Sequence, residues 1–284
     1  MPRTSADSNP RGVCISAHSW VRMLADITPV VITYNEAPNL ERTLRALVWA
    51  RRVVILDSGS TDASKSIASE YANVDWFERA FDDHAGQCNY ALDQLVPGAS
   101  WVLFMDADYI VTDSLRAEMA ALHPSAETSG YSIPFRYCID GHPLRGTLYP
   151  PRVCLFRPER GRYLQYGHMH WLELGGGTNN LHGTMLHDDR KSSDNFIRRQ
   201  RRYADLEARY LWSQSWTSLN WRKRLRRLLF IAPWAAPAFA LFGKGVIFDG
   251  LPGLKYAWER AQAESLIAAA LLRQMLNSPM RTTE

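Results

Sequence analysis

The chain has 284 residues, 46% of them hydrophobic and 22% charged, which is an ordinary globular composition. That length suits one large domain with a C-terminal appendage better than two equal domains. The net charge of +4 is uneven: residues 190–227 hold twelve Lys/Arg against three Asp/Glu, a local +9, which leaves −5 elsewhere. Such a distribution points to a local anionic partner and away from a general nucleic-acid coat, and no nucleic-acid-binding signature is present.

Cys14, Cys88, Cys138 and Cys154 form no Cys-x-x-Cys pair, which argues against a zinc ribbon or a disulfide scaffold and for reduced thiols in a cytosolic protein. Residues 1–27 read as a flexible leader, because the apolar stretch around Val13-Cys14-Ile15 is too short for a signal-peptide core.

In chain order, Pro29–Thr33 is a β-branched run typical of a buried parallel strand. Asn39 to Trp49 has helical spacing, with Leu40, Leu44, Leu47 and Val48 on one face. Val53–Leu56 predicts a second strand ending at Asp57, and Ser60-Thr61-Asp62 starts a second helix. Val74–Phe77 predicts a third strand, Cys88–Leu95 a helix, and Trp101–Met105 a fourth strand ending at Asp106. This alternation predicts an α/β fold with a mostly parallel sheet. Tyr131–Ile133 and Val153–Phe156, set among Pro and Gly turns, predict an antiparallel extension. Ser193–Trp212 and Tyr256–Leu276 predict helices, and Leu228–Phe242 is apolar but interrupted by Pro233 and Pro237.

Ligands of parallel sheets bind at the carboxyl ends of the strands. Thr33, Asn35, Asp57, Asp106 and Asp108 all fall there. Asp-x-Asp alone is a weak signal, common in solvated loops. Directly after a buried strand, two carboxylates at i and i+2 are placed to share a hard cation with water and phosphate oxygens. A nucleoside diphosphate leaves only when its developing charge is neutralised, and a metal does that. In Asp57–Asp62, Gly59 permits a tight turn, Ser60 to Asp62 read mainly as helix caps, and Asp57 is placed to accept a hydrogen bond from a nucleobase. Asn35 and Glu36 are natural helix-start residues whose backbone also lines that end of the sheet.

Val-Ile-Thr-Tyr-Asn-Glu at 31–36, Asp-Ser-Gly-Ser-Thr-Asp at 57–62, Gly86 to Leu92 and Met-Asp-Ala-Asp at 105–108 occur in the order seen in family 2 glycosyltransferases. The resemblance covers residues 28–110 well and extends more loosely to about residue 210. Within that family the chain is similar to small bacterial enzymes related to lipopolysaccharide-core glucosyltransferases, with Tyr109 where their pattern has Glu. The resemblance implies a GT-A fold, a divalent metal (Mg²⁺ or Mn²⁺), and an inverting direct displacement. Carried over by position, it places Thr33, Asn35, Glu36 and Asp57 around base and ribose, and Gln87 and Asn89 along the nucleotide or its phosphates. Asp106 falls at the ribose side and in the metal pair, and Asp108 becomes the principal metal ligand.

The catalytic base is open at this stage. Relatives carry His-Glu after the strand matching Val153–Phe156, and here the segment reads Gly167-His168-Met169-His170-Trp171-Leu172-Glu173. Glu173 is one candidate. In His187-Asp188-Asp189-Arg190-Lys191, His187 is a candidate metal ligand, Asp188 a second candidate base, and Arg190 or Lys191 a diphosphate clamp. A zinc hydrolase site built on His168-x-His170 ranks well below this.

Arg222 to Arg227 stands beside Leu228–Phe242, which contains Trp234. A basic cluster next to an apolar, Trp-containing stretch suits an anionic membrane surface, lying in the interface without spanning it. The expectation is therefore three parts: a leader over 1–27, a GT-A catalytic domain over 28–212, and a helical, membrane-facing region over 213–284. The expected enzyme is cytoplasmic, peripheral at the inner face of the cell membrane. It moves a hexose from a UDP-sugar to a lipid-linked or envelope glycan. The rivals are a nucleotidyltransferase, which lacks its Gly-rich phosphate loop here, and a non-catalytic sugar-nucleotide-binding protein.

Overall fold

The computed structural model describes residues 20–166 and 169–277. Trp20–Ala25 is a short helix, α1, within the segment expected as leader, and residues 1–19 lie outside the described residues. The strands β1 (Ile27–Thr33), β2 (Val53–Asp57), β3 (Val74–Glu78) and β4 (Trp101–Asp106) alternate with α2 (Ala37–Arg45), α3 (Ser64–Ser69) and α4 (His84–Tyr90). Helix α4 starts four residues before the expected Cys88, because Asp83 caps it by accepting from the Gly86 amide. Its continuation, Ala91–Leu95, is a π-helical turn.

The chain then gives β5 (Tyr109–Val111), α5 (Asp113–Ala120), β6 (Thr128–Ile133), β7 (Phe135–Ile139), β8 (His142–Pro143) and β9 (Arg152–Phe156). After these come β10 (Gly161–Tyr166), β11 (Met169–Leu174), β12 (Gly177–Asn180) and β13 (Met185–His187). The main sheet has seven strands in the order β12-β6-β9-β4-β1-β2-β3. Strands β1 to β4 run parallel, and β9 enters antiparallel between β4 and β6, which is the expected antiparallel extension. A four-stranded sheet, β5-β13-β7-β8, lies beyond the end of β4, and β10–β11 is a separate hairpin.

Side chains alternate across the sheet with period two. Val31, Ile55, Leu103 and Met105 face one core with Leu40 and Leu44 of α2. Val30, Val54, Leu56, Val102 and Phe104 face the other, beneath Cys88 and Leu92 of the α4 segment and Tyr163 of the hairpin. Covering both faces is what lets the parallel strands be continuously apolar.

Four helices follow: α6 (Ser193–Ser213), α7 (Trp221–Arg227), α8 (Ala232–Ala238) and α9 (Leu251–Asn277), the last beginning five residues before the expected Tyr256. Small residues let α6 and α9 approach closely, with Ala204, Ala208 and Leu211 packed on Ala270 and Leu271. The basic cluster is not uniform. Arg226 turns inward and pairs with Glu207 at 3.2 Å and Glu264 at 2.6 Å, so its charge is matched within the fold. Among the described residues, no helix is long and apolar enough to cross a membrane.

Candidate functional site

Register brings Thr33 opposite Asp57, and Ile32 opposite Asp106, so the carboxyl ends of β1, β2 and β4 form one edge. The loops after β1 and β2 cap each other there. Asn35 sits in the left-handed region at φ 52°, donates its amide to Ser60 Oγ at 2.8 Å, and accepts the Thr61 amide at 2.8 Å. The Ala37 amide at the start of α2 donates to Asp62, and the Glu36 amide donates to Ser64 Oγ. The Asp57 carboxylate is 1% exposed and accepts from the Gly59 amide (2.9 Å), the Ser60 amide (2.6 Å) and Ser60 Oγ (2.5 Å). Its acceptor capacity is largely spent on its own turn. Thr33 Oγ1, in contrast, is buried with no partner.

Beyond β4 the polypeptide turns through Asp106-Ala107-Asp108 into β5. Thr43 on α2, fully buried, donates to the Ala107 carbonyl at 2.7 Å and holds this turn. Asp106 points to solvent and Asp108 is 7% exposed. The next short sheet delivers His187 opposite Tyr109. Its Nε2 lies 3.3 Å from Asp108 Oδ2. Rings of Tyr109, Tyr137 and Tyr149 surround the imidazole at centroid distances of 5.2, 4.9 and 5.0 Å. Tyr109, at the position of the family's usual Glu, thus supplies a wall of this cage and bonds the Tyr149 hydroxyl at 2.6 Å. Burial disfavours the imidazolium, but Asp108, and beyond it Asp106 and Asp189, more than offset that and raise the His187 pKa.

Two polar atoms here are buried without partners: Asp108 Oδ1 and His187 Nδ1. Buried polar atoms are nearly always bonded, so exceptions call for a ligand or an ion. Among the described residues, no three His, Cys, Asp or Glu side chains converge into a ready metal cage. Asp106 and Asp108 are oxygen donors of the kind a hard divalent cation takes beside phosphates and water, and His187 adds a nitrogen donor that Mg²⁺ does not favour.

Behind this pocket lies a charged network. Glu36 accepts from Asn39 at 2.7 Å and pairs with Lys191 at 2.5 Å. Burial and the neighbouring Asp108 push Glu36 up to about 7, against the opposing pull of Lys191. Asp189 accepts from Asn39 and pairs with Arg199. Burial opposes its charge, but Arg199 and these hydrogen bonds lower its pKa overall.

Asp188, expected as a base, is 4% exposed and gripped by Arg190 Nε at 2.8 Å and Arg42 Nε at 3.3 Å. A carboxylate buried between two guanidiniums has no face open to an acceptor hydroxyl, so that assignment is corrected to a structural clamp. Arg190 is thereby engaged as well. Of the two expected diphosphate clamps, Lys191 is the one placed beside the Asp108 pocket, through Glu36.

Gln87 and Asn89 are also committed within the fold. Gln87 donates to Ser58 Oγ and the Arg79 carbonyl and accepts from Arg79 at 2.5 Å. Asn89 exchanges hydrogen bonds with both backbone groups of Tyr163, pinning α4 to β10. Glu173 is exposed on β11, opposite Arg162, which pairs with Asp93 late in the α4 segment. That segment starts at the carboxyl edge and descends to the opposite one, and the hairpin tip is the part near its start, through Gln165 and the Ala85 amide. Glu173 is next to Leu172, whose ladder partner Tyr163 packs on Phe104 near the end of β4 at 5.1 Å, and it stays a candidate base. His168 lies outside the described residues, and for His170 only the backbone pairing with Gln165 is described.

Sequence reasoning missed Asn39, Arg42 and Thr43. The available signal was polar residues interleaved with Leu40 and Leu44 on the inner face of α2, where Asn39 and Thr43 are buried.

The chain matches the family model described as Glycosyl transferase family 2 over residues 28–247. It is 27% identical over 216 residues to the lipopolysaccharide core biosynthesis glycosyltransferase LpsC of Rhizobium meliloti (strain 1021), covering 73% of this chain and 77% of that one. Among solved structures it is similar to S. aureus TarS 1-349 in complex with UDP-GlcNAc, at 16% identity and a TM-score of 0.44, covering 90% of this chain and 93% of that one. With a family model spanning most of its length, and the acidic turn lying at the carboxyl edge of its parallel strands, the chain belongs to glycosyl transferase family 2 and is a glycosyltransferase.

Proposed function

We propose that this glycosyltransferase moves a hexose from a UDP-sugar to a saccharide on a lipid-linked or envelope glycan, with inversion at the anomeric carbon. The observation that carries the reading is the unpartnered, buried Asp108 Oδ1 at the end of β4, with His187 against the other oxygen. Asp106, Asp108 and His187 would hold a Mg²⁺ or Mn²⁺ ion, which supplies neutralisation of the charge growing on the leaving diphosphate. Around it, this chain's residues bind and orient. Thr33 and Asn35 form the rim for base and ribose, on a turn that Asp57 holds in shape. Lys191, held by Glu36, stands ready to turn its ammonium onto a phosphate oxygen. In the displacement, the acceptor hydroxyl oxygen bonds the anomeric carbon as the bond to the diphosphate oxygen breaks, and a base on the acceptor side takes the hydroxyl proton. With Asp188 clamped, Glu173 remains the first candidate for that base, and His168 and His170, close to it in sequence, are the next.

The acceptor reading rests on the role of the LpsC relative in lipopolysaccharide core biosynthesis and on the C-terminal appendage. Residues 213–284 carry ten Lys/Arg against four Asp/Glu, and they expose Phe230, Trp234 and Trp258. That combination supports peripheral attachment to an anionic cytoplasmic leaflet. The decisive experiment is a thermal-shift screen of nucleoside diphosphates and their sugars, with and without manganese, followed by donor hydrolysis. Stabilisation by UDP-sugars that requires the metal supports the reading. Full activity in excess chelator overturns its metal-dependent part.

A further inference from the structure

The C-terminal helices enclose a groove of about 660 Å³ between α8 and α9, within the size range of small-molecule sites (~300–1,000 Å³). Its floor is a run of small side chains on α9, among them Ala257, Ala261 and Ala268, and its walls include Trp234, Trp258 and Leu272. Among the described residues lining it, Ser265 is the one with a polar side chain. Trp234 is 79% exposed and Trp258 65%, so the walls stand open to solvent.

We infer that this groove binds the hydrocarbon chain of the lipid-linked acceptor. The inference rests on the acceptor class proposed above and adds a site to it. Three observations select this occupant. The lining offers almost nothing to hydrogen-bond, so the occupant makes few polar demands. A second copy of the chain is disfavoured, because residues 213–284 carry a net +6 and would meet their own charge. The same charge favours a lipid with phosphate in its headgroup region.

The third observation is position. Tyr256 of α9 stacks on Tyr137 at 5.2 Å, and Tyr137 packs on His187 at 4.9 Å. Trp258, two residues on, lines the groove. The groove and the His187 cage are thus on different sides of one helix, ~10 Å across with its side chains. A chain held in the groove keeps its headgroup sugar close to the site and does not leave it free to diffuse along the membrane.

The test uses the full-length protein and alkyl phosphates below their micelle concentrations. Wild-type protein should bind dodecyl phosphate, with thermal stabilisation and a change in Trp fluorescence. Affinity should rise roughly fourfold per methylene from hexyl to dodecyl until the groove is full. Ala261→Phe and Ala268→Phe, which fill the floor, should lose that binding at least tenfold. They should keep metal-dependent donor hydrolysis, which certifies the fold. Affinity that ignores chain length, or is unchanged in both variants, overturns the proposal. Sedimentation with phosphatidylglycerol vesicles is read separately. If the wild type binds alkyl phosphate but ignores vesicles, membrane attachment fails while the groove stands. If it sediments but binds no alkyl chain, the groove fails and attachment stands.

Discussion

Two stretches of the same sheet edge meet solvent in opposite electrostatic states. After β1 and β2, the turn's carboxylates and amide are spoken for, although Thr33 Oγ1 is not: Asp57 takes three hydrogen bonds from residues 59 and 60, and Asn35 and Asp62 tie the loops together. After β4, Asp108 and His187 each keep a buried atom with no partner. The first stretch is largely finished by folding; the second keeps a buried carboxylate oxygen and a buried ring nitrogen without partners. The contrast separates residues that build the edge from residues that act at it, although sequence position makes them look alike.

The largest effect that bears on this contrast is expected from Asp108→Asn. Turnover should fall by ~10²–10³-fold or more, since the change removes charge where a diphosphate leaves. The melting temperature without ligand should change little, because the isosteric amide keeps an oxygen for His187 while one buried charge beside Glu36 is removed. Wild-type turnover in this variant would erase the distinction outright. Asp57→Ala should behave in reverse, losing about 2–3 kcal/mol of stability with its three turn hydrogen bonds, as read by denaturant unfolding. Unchanged stability there would mean that Asp57 serves the ligand and not the turn.

Arg226→Ala should lower stability by about 1–3 kcal/mol, less than for a fully buried pair because its side chain is 34% exposed. Neutralising Arg222, Lys223, Arg224 and Arg227 together should weaken vesicle binding and cost less stability than Arg226→Ala, since Arg224 and Arg227 bond neutral carbonyls of residues 214, 216 and 217 and no carboxylate. Equal stability losses in the two variants would put the whole of α7 in the core. Glu173→Gln decides among the base candidates: a loss of ~10²-fold or more in turnover with donor binding retained marks Glu173 as the base, and turnover within about twofold of wild type passes the role to His168 or His170.

The parallel core was legible because its signals are local. Runs such as Val53–Leu56 announce buried strands, and Asp106-Ala107-Asp108 marks the acidic turn at the end of one. The catalytic base and the network around it were not, because they depend on which segments meet. Asp188 beside His187 looks like an acid–base pair in sequence, yet alternation along β13 turns one toward the pocket and the next into the clamp of Arg42 and Arg190. Arg226 reads as one more surface cation until α6 and α9 bring Glu207 and Glu264 to it from opposite directions along the chain.

The stacking of Tyr256 on Tyr137 also bears on how such enzymes are recombined. A C-terminal segment that only anchored the protein would be a cassette, exchangeable between relatives with different acceptors. Here one of its aromatic rings props the wall that confines His187, and the hydroxyl of that same Tyr256 receives the Leu148 amide at 2.9 Å. A chimera that replaces the appendage inherits a catalytic pocket missing one buttress, so grafts should be cut to carry Tyr137, Leu148 and Tyr256 together.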